Sequence, residues 1–110
     1  MATVFRNKLA TSLGTSITPL FQTNASATTT VIGLSLTNTT SGIIQASIQL
    51  NDTIAGTTAY YIQNVTIPSN TSMRVVTGGE KLILSAATNV IIYSNTAASM
   101  DLVMSWVEIS

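Results

Sequence analysis

At 110 residues the chain is one domain in length, and its 45% of hydrophobic residues can fill one core without a metal or disulfide staple. Only 7% of residues are charged, against ~25% in ordinary soluble domains, and Arg6, Lys8, Arg74 and Lys81 balance Asp52, Glu80, Asp101 and Glu108 to a net charge of zero. Cysteine and histidine are absent, which excludes disulfide frameworks, thiolate or imidazole metal sites and the usual nucleophile–base pairs; four scattered cations make no phosphate-binding patch.

Residues 3–13 hold Val4, Phe5, Leu9 and Leu13 without a clean period. An extended N-terminal arm, residues 1–14, is expected, lying on a neighbouring protein through Phe5, with Arg6 and Lys8 paired to that neighbour's acids. Arg6 and Lys8 are not followed by the apolar run of a signal peptide, and no stretch approaches the ~18 apolar residues of a membrane span. Residues 15–110 are then the folded domain. Its first strand is short, residues 16–22, and Pro19 confines it to an edge or a bulge. The polar run 23–30 connects it to the next.

Strand 29–38 alternates Ile32, Leu34 and Leu36 with smaller residues, and after the turn cluster Thr39-Thr40-Ser41-Gly42 the pattern repeats as Ile44, Ala46, Ile48 and Leu50. The pair is expected to form an antiparallel hairpin. A loop over 51–58 leads to strand 59–67, which Pro68 stops. Residues 73–76, then a Thr77-Gly78-Gly79-Glu80 turn, then Leu82–Leu84, Val90–Tyr93 and a final strand through Met100–Ile109 complete about eight short strands. No segment shows a capped 3.6-residue period. Turn-punctuated short strands of this kind predict an all-β, antiparallel β-sandwich, jelly-roll or immunoglobulin-like.

Two strands are apolar on both faces. The last one sets Met100, Leu102, Met104 and Trp106 against Val103, Val107 and Ile109; strand 59–67 sets Tyr60 and Ile62 against Tyr61, Val65 and Ile67. A two-layer sandwich covers only one face of each strand, so Tyr61, Val65, Ile67, Val103, Val107 and Ile109 are expected to pack on other subunits. A nearly neutral chain has little self-repulsion to oppose that.

Candidate chemistry is sparse. A Ser–Lys pair would need Lys8 or Lys81 desolvated, and both sit among polar residues. No spacing among the four carboxylates selects the pair a glycosidase needs. Asn51-Asp52-Thr53 offers one carboxylate to calcium, and Thr77-Gly78-Gly79 lacks the Lys-Ser/Thr of a phosphate loop. The N-x-[ST] pattern at Asn24, Asn38, Asn51, Asn64 and Asn70 follows from a chain rich in Asn, Ser and Thr. No catalytic residue, metal ligand or cofactor is assigned. Tyr60, Tyr61, Tyr93 and Trp106 are the residues a sugar would stack on, with core packing the competing use of Trp106.

Asn7-Lys8-Leu9, Gly14-Thr15-Ser16, Thr30-Val31-Ile32-Gly33-Leu34-Ser35-Leu36, Val65-Thr66-Ile67-Pro68, Gly78-Gly79-Glu80-Lys81-Leu82-Ile83-Leu84 and Val107-Glu108-Ile109 together make the chain resemble small virion proteins of tailed bacteriophages. Where that group often carries Gly-Asp before the penultimate strand, this chain has Ala87-Thr88-Asn89. The resemblance implies a non-enzymatic structural subunit made in the host cytoplasm and carried in the virion as capsid decoration, neck, collar or tail accessory. Its partners would be its own copies and other capsid, connector or tail proteins, with neither nucleic acid nor membrane. The alternative is a glycan- or receptor-binding module of a tail fibre.

Overall fold

The computed structural model describes residues 3–17, 19–76 and 82–109. Among them lie nine strands: β1 (Thr3–Leu13), β2 (Phe21–Gln22), β3 (Thr28–Asn38), β4 (Ile44–Asp52), β5 (Thr57–Ile67), β6 (Ser72–Val76), β7 (Leu82–Leu84), β8 (Thr88–Ser94) and β9 (Met100–Ile109). One sheet runs β1-β9-β3-β6, with β7 also paired to β3; the other runs β2-β8-β4-β5. All pairings are antiparallel. The fold is therefore the expected all-β sandwich.

The apolar residues of alternate positions meet between the sheets. Val31, Leu34 and Leu36 of β3 and Leu102, Met104 and Trp106 of β9 line the first sheet's inner face; Ile44, Ala46 and Ile48 of β4 and Val90 and Ile92 of β8 line the second's. Each fully buried aliphatic side chain of this kind contributes roughly 1.5–3 kcal/mol through removal from water.

Three expectations about the strands are corrected. β3 and β4 do not form a hairpin: they belong to different sheets, and residues 39–43 carry the chain across the sandwich. Two alternating strands joined by a short turn bury the same faces either as a hairpin or as an arch, so periodicity alone does not separate the two. Ile32 does not share a face with Leu34 and Leu36. A register break between Val31 and Gly33 puts Val31 into the core and turns Ile32 outward. Nor is β5 cleanly two-sided. Its pairing with β4 shifts twice, between Ala46 and Ile48 and again between Ile48 and Gln49, with Asn64 at φ 51°. These bulges bring both Tyr61 and Ile62 against the core, where strict alternation would send them to opposite faces.

The N-terminal segment is extended, and it lies on its own domain. β1 pairs with β9 from Thr3 opposite Ile109 to Ala10 opposite Leu102, then slips by a bulge before Leu13 meets Met100. Without β1 the long edge of β9 would present a row of unpaired N–H and C=O groups, and the chain satisfies them itself.

Candidate functional site

Each carboxylate among the described residues is held by a partner within the chain. Asp52 caps the β4–β5 turn: its Oδ1 accepts the backbone N–H groups of Ile54 and Ala55, both at 3.1 Å, and its Oδ2 accepts the Ser85 hydroxyl at 3.0 Å. The bond from Ala55 does most to hold its carboxyl below the ordinary value, followed by Ser85, with partial burial opposing. Asp101 accepts the Ser12 backbone N–H at 3.2 Å. Among the described residues no three acidic groups come together as a metal site. The Thr77-Gly78-Gly79-Glu80 turn and Lys81 lie outside the described residues.

Arg6 is the clearest departure from the arm expectation. Its Nε donates to Glu108 Oε2 at 3.2 Å, and Glu108 Oε1 accepts the Trp106 indole N–H at 3.1 Å. The cation expected to meet a neighbour's acid thus meets its own chain's, because Val4 opposite Glu108 and Arg6 opposite Trp106 bring it alongside. Lys8 follows on the same face, opposite Met104. Phe5 projects from the other face and is 78% exposed.

The Trp106 bond is the main reason the Glu108 carboxyl titrates below its ordinary value; partial burial pushes the other way, and Arg6 adds to the lowering. A carboxyl lowered by folding adds stability above its unfolded value, ~4.3, and that contribution disappears as pH falls through the folded value. The unfolding midpoint in urea is therefore expected to hold steady from neutral pH down to about 5 and to fall below about 4. Trp106 is the only tryptophan, so native-state emission should titrate over the same acid range. Emission that stays flat there, or an unchanged acid profile in Glu108→Gln, would refute this assignment.

The residues expected at subunit contacts divide into two groups. Ile67 is fully buried in the core, and Tyr61 and Val65 pack against it half-buried. Ile67 pairs with Ile44 on β4 and both belong to the core between the sheets, so the sandwich interior, not a neighbour, covers it. Val103, Val107 and Ile109, in contrast, face outward from β9. Phe5 and Leu9 of β1 stand beside Val107 and Val103 in register, and Ile83 of β7 lies one strand beyond, across Thr30. With Ile32 turned out by its bulge, one sheet face carries Phe5, Leu9, Ile32, Ile83, Val103 and Ile109 exposed together. Sequence reading found the β9 members by alternation. It missed Leu9, Ile32 and Ile83, whose place depends on register and on a bulge.

A hollow of about 340 Å³ opens on this same face where β3 bulges, lined by Ile32, Gly33, Ser35, Arg74, Val103 and Ser105 among others.

The opposite outer face is of another character. Tyr60 and Tyr93 share a hydroxyl–hydroxyl bond of 3.1 Å, flanked by Gln49, which stands opposite Tyr60. That bond does most to pull Tyr60 below its ordinary value and to push Tyr93 above its own. Trp106 takes no part, being buried with its ring centroid 4.4 Å from that of Phe21. Of the N-x-[ST] asparagines, Asn38 is wholly buried and committed to internal hydrogen bonds.

No protein-family model matches the chain, and no curated protein does. Among solved structures it is similar to a crystal structure of PirA, at 14% identity over 96% of this chain and 88% of that one, with a TM-score of 0.42. A likeness at that level bears on neither activity nor partners.

Proposed function

We propose that this chain is a non-enzymatic structural subunit that works in many copies, packed against its own kind and against neighbouring proteins of a tailed-phage particle. The observation that carries the reading is the apolar outer face of the β1-β9-β3 sheet. Monomeric domains scatter large apolar residues singly over their surfaces; here Phe5, Leu9, Ile32, Ile83, Val103 and Ile109 share one face. The body measures 46 × 28 × 21 Å, so a sheet face offers more than the ~800 Å² per partner of a standard interface. Such an area is enough for a specific contact, whose strength is set by what remains after the cost of ordering two copies. The phage assignment rests on the sequence resemblance.

The glycan-binding alternative retains Tyr60 and Tyr93 but loses Trp106 to the core and Tyr61 to partial burial, which leaves the assembly reading the better supported.

Size-exclusion chromatography with light scattering tests the proposal. The wild-type chain is expected to associate with rising concentration, and Val103→Glu, at the centre of the face, to shift it toward monomer without lowering the melting temperature. A chain that stays monomeric at millimolar concentration overturns the reading.

A further inference from the structure

Tyr60 and Tyr93 come from strands that do not pair with each other. β5 and β8 lie on either side of β4, roughly 10 Å apart at two strand spacings. On the outer face Tyr60 stands opposite Gln49 and Tyr93 opposite Ser47, so the two rings start on a diagonal. Ser47 between them is small and buried, and the rings reach over β4 until their hydroxyls meet at 3.1 Å. The third tyrosine, Tyr61, packs against the core instead. Tyr60 is 46% exposed, which leaves the pair open to reagents in solution. The chain has no cysteine and its one tryptophan is buried, so neither a thiol nor an exposed indole competes for a one-electron oxidant.

We infer that Tyr60 and Tyr93 form an oxidative cross-linking site, where a peroxide and a haem peroxidase join the two rings as dityrosine and staple β5 to β8. The peroxide takes one hydrogen atom from each phenol and is itself reduced to water. The two phenoxyl radicals couple through one Cε of each ring, forming a single carbon–carbon bond. Each coupled carbon then gives up its hydrogen as a proton to the oxygen of its own ring, which restores both phenols. The product is the original chain less two hydrogens. Hydroxyls in contact bring these Cε atoms close, because each is bonded to the carbon that carries the oxygen. Side-chain rotation on an outer face closes the remaining distance.

The link bears most on β5. That strand is outermost in its sheet, most of its side chains are exposed, and its pairing with β4 shifts twice. A covalent tie across β4 joins residues 33 apart in sequence and removes the corresponding freedom from the unfolded chain. The site uses the face opposite the apolar one and is independent of self-association.

The test treats dilute protein with hydrogen peroxide and a haem peroxidase, then recovers the monomer by size exclusion. That monomer is expected to show dityrosine fluorescence, a mass lower by two hydrogens and, after proteolysis, a Tyr60 peptide joined to a Tyr93 peptide. Its melting temperature should rise by about 10 °C or more over the untreated chain. Tyr60→Phe and Tyr93→Phe should each abolish the fluorescence of the monomer, while Tyr61→Phe retains it. Both variants of the pair keep their rings, and melting before oxidation checks that they fold. A wild-type monomer without dityrosine, a link through Tyr61, or cross-linking only between chains overturns the assignment. A Tyr60–Tyr93 link that leaves the melting temperature unmoved overturns the staple.

Discussion

Asn38→Ala is expected to lower stability by about 3 kcal/mol. Asn38 ends β3 with its side chain fully buried at the arch between the sheets. Its Nδ2 donates toward the carbonyls of Gly42, Ile67 and Pro68 at 2.8, 3.0 and 3.1 Å. Its Oδ1 accepts the backbone N–H of Thr40 at 2.9 Å and the Thr40 hydroxyl at 2.7 Å. One side chain therefore ties the β3–β4 arch to the β5–β6 arch. Alanine would leave its partners without their bonds in a place water cannot easily reach, at roughly 1 kcal/mol for each orphaned group.

The Asn38→Asp variant separates hydrogen bonding from shape. It keeps the size and the acceptor but sets a carboxylate among carbonyl oxygens, so it should be at least as damaging at neutral pH. Burial and those carbonyls would raise the new carboxyl's value above the unfolded one. The variant should then regain stability as pH falls, until the acid-sensitive native groups Glu108 and Asp52 give way. Urea unfolding of both variants across pH measures this. If Asn38→Ala shifts the midpoint by less than the equivalent of ~1 kcal/mol, the arch is held by other contacts.

Gly14→Val is expected to cost about 2–3 kcal/mol, by overpacking rather than by lost contacts. A Cβ at Gly14 would stand 2.9 Å from the Ala98 backbone nitrogen and 3.1 Å from the Ala97 Cα. Those atoms belong to the β8–β9 connection, which has little freedom to retreat. Ser94 donates its N–H to the Gly14 carbonyl at 2.9 Å, and Ser99 donates its own to Leu13 at 2.8 Å. The Ser94 and Ser99 hydroxyls, 2.6 Å apart, each bond the Thr96 carbonyl at 2.7 Å. A wider residue at 14 must separate β1 from this loop, and amide exchange along β1 should accelerate before that in β4 does. Gly14→Ala should fall between wild type and valine. Equal stability of all three would show that the loop yields freely.

The contrast between Gly14 and Gly33 illustrates what sequence could and could not say. Both are single glycines in an apolar, turn-rich chain. Only the packed structure shows that Gly14 is required by backbone a few ångströms away, whereas Gly33 sits at a bulge of β3 with open space beside it among the described residues.

Alternation in the one-dimensional chain was sufficient for the fold class, for the inward set Leu102, Met104 and Trp106 and for the outward set Val103, Val107 and Ile109, because side chains in a strand point to opposite faces at every step. Composition likewise accounts for the poverty of charge. The tertiary structure alone decided which strands pair, since β3 and β4 carry patterns that serve a hairpin or an arch equally well. It also decided where bulges reverse the alternation, which is why Ile32 lies outside and why Tyr61 and Ile62 both reach the core. Finally it returned the N-terminal strand, with Arg6, to its own β9: a period measured along one strand contains no information about which edge will satisfy its hydrogen bonds.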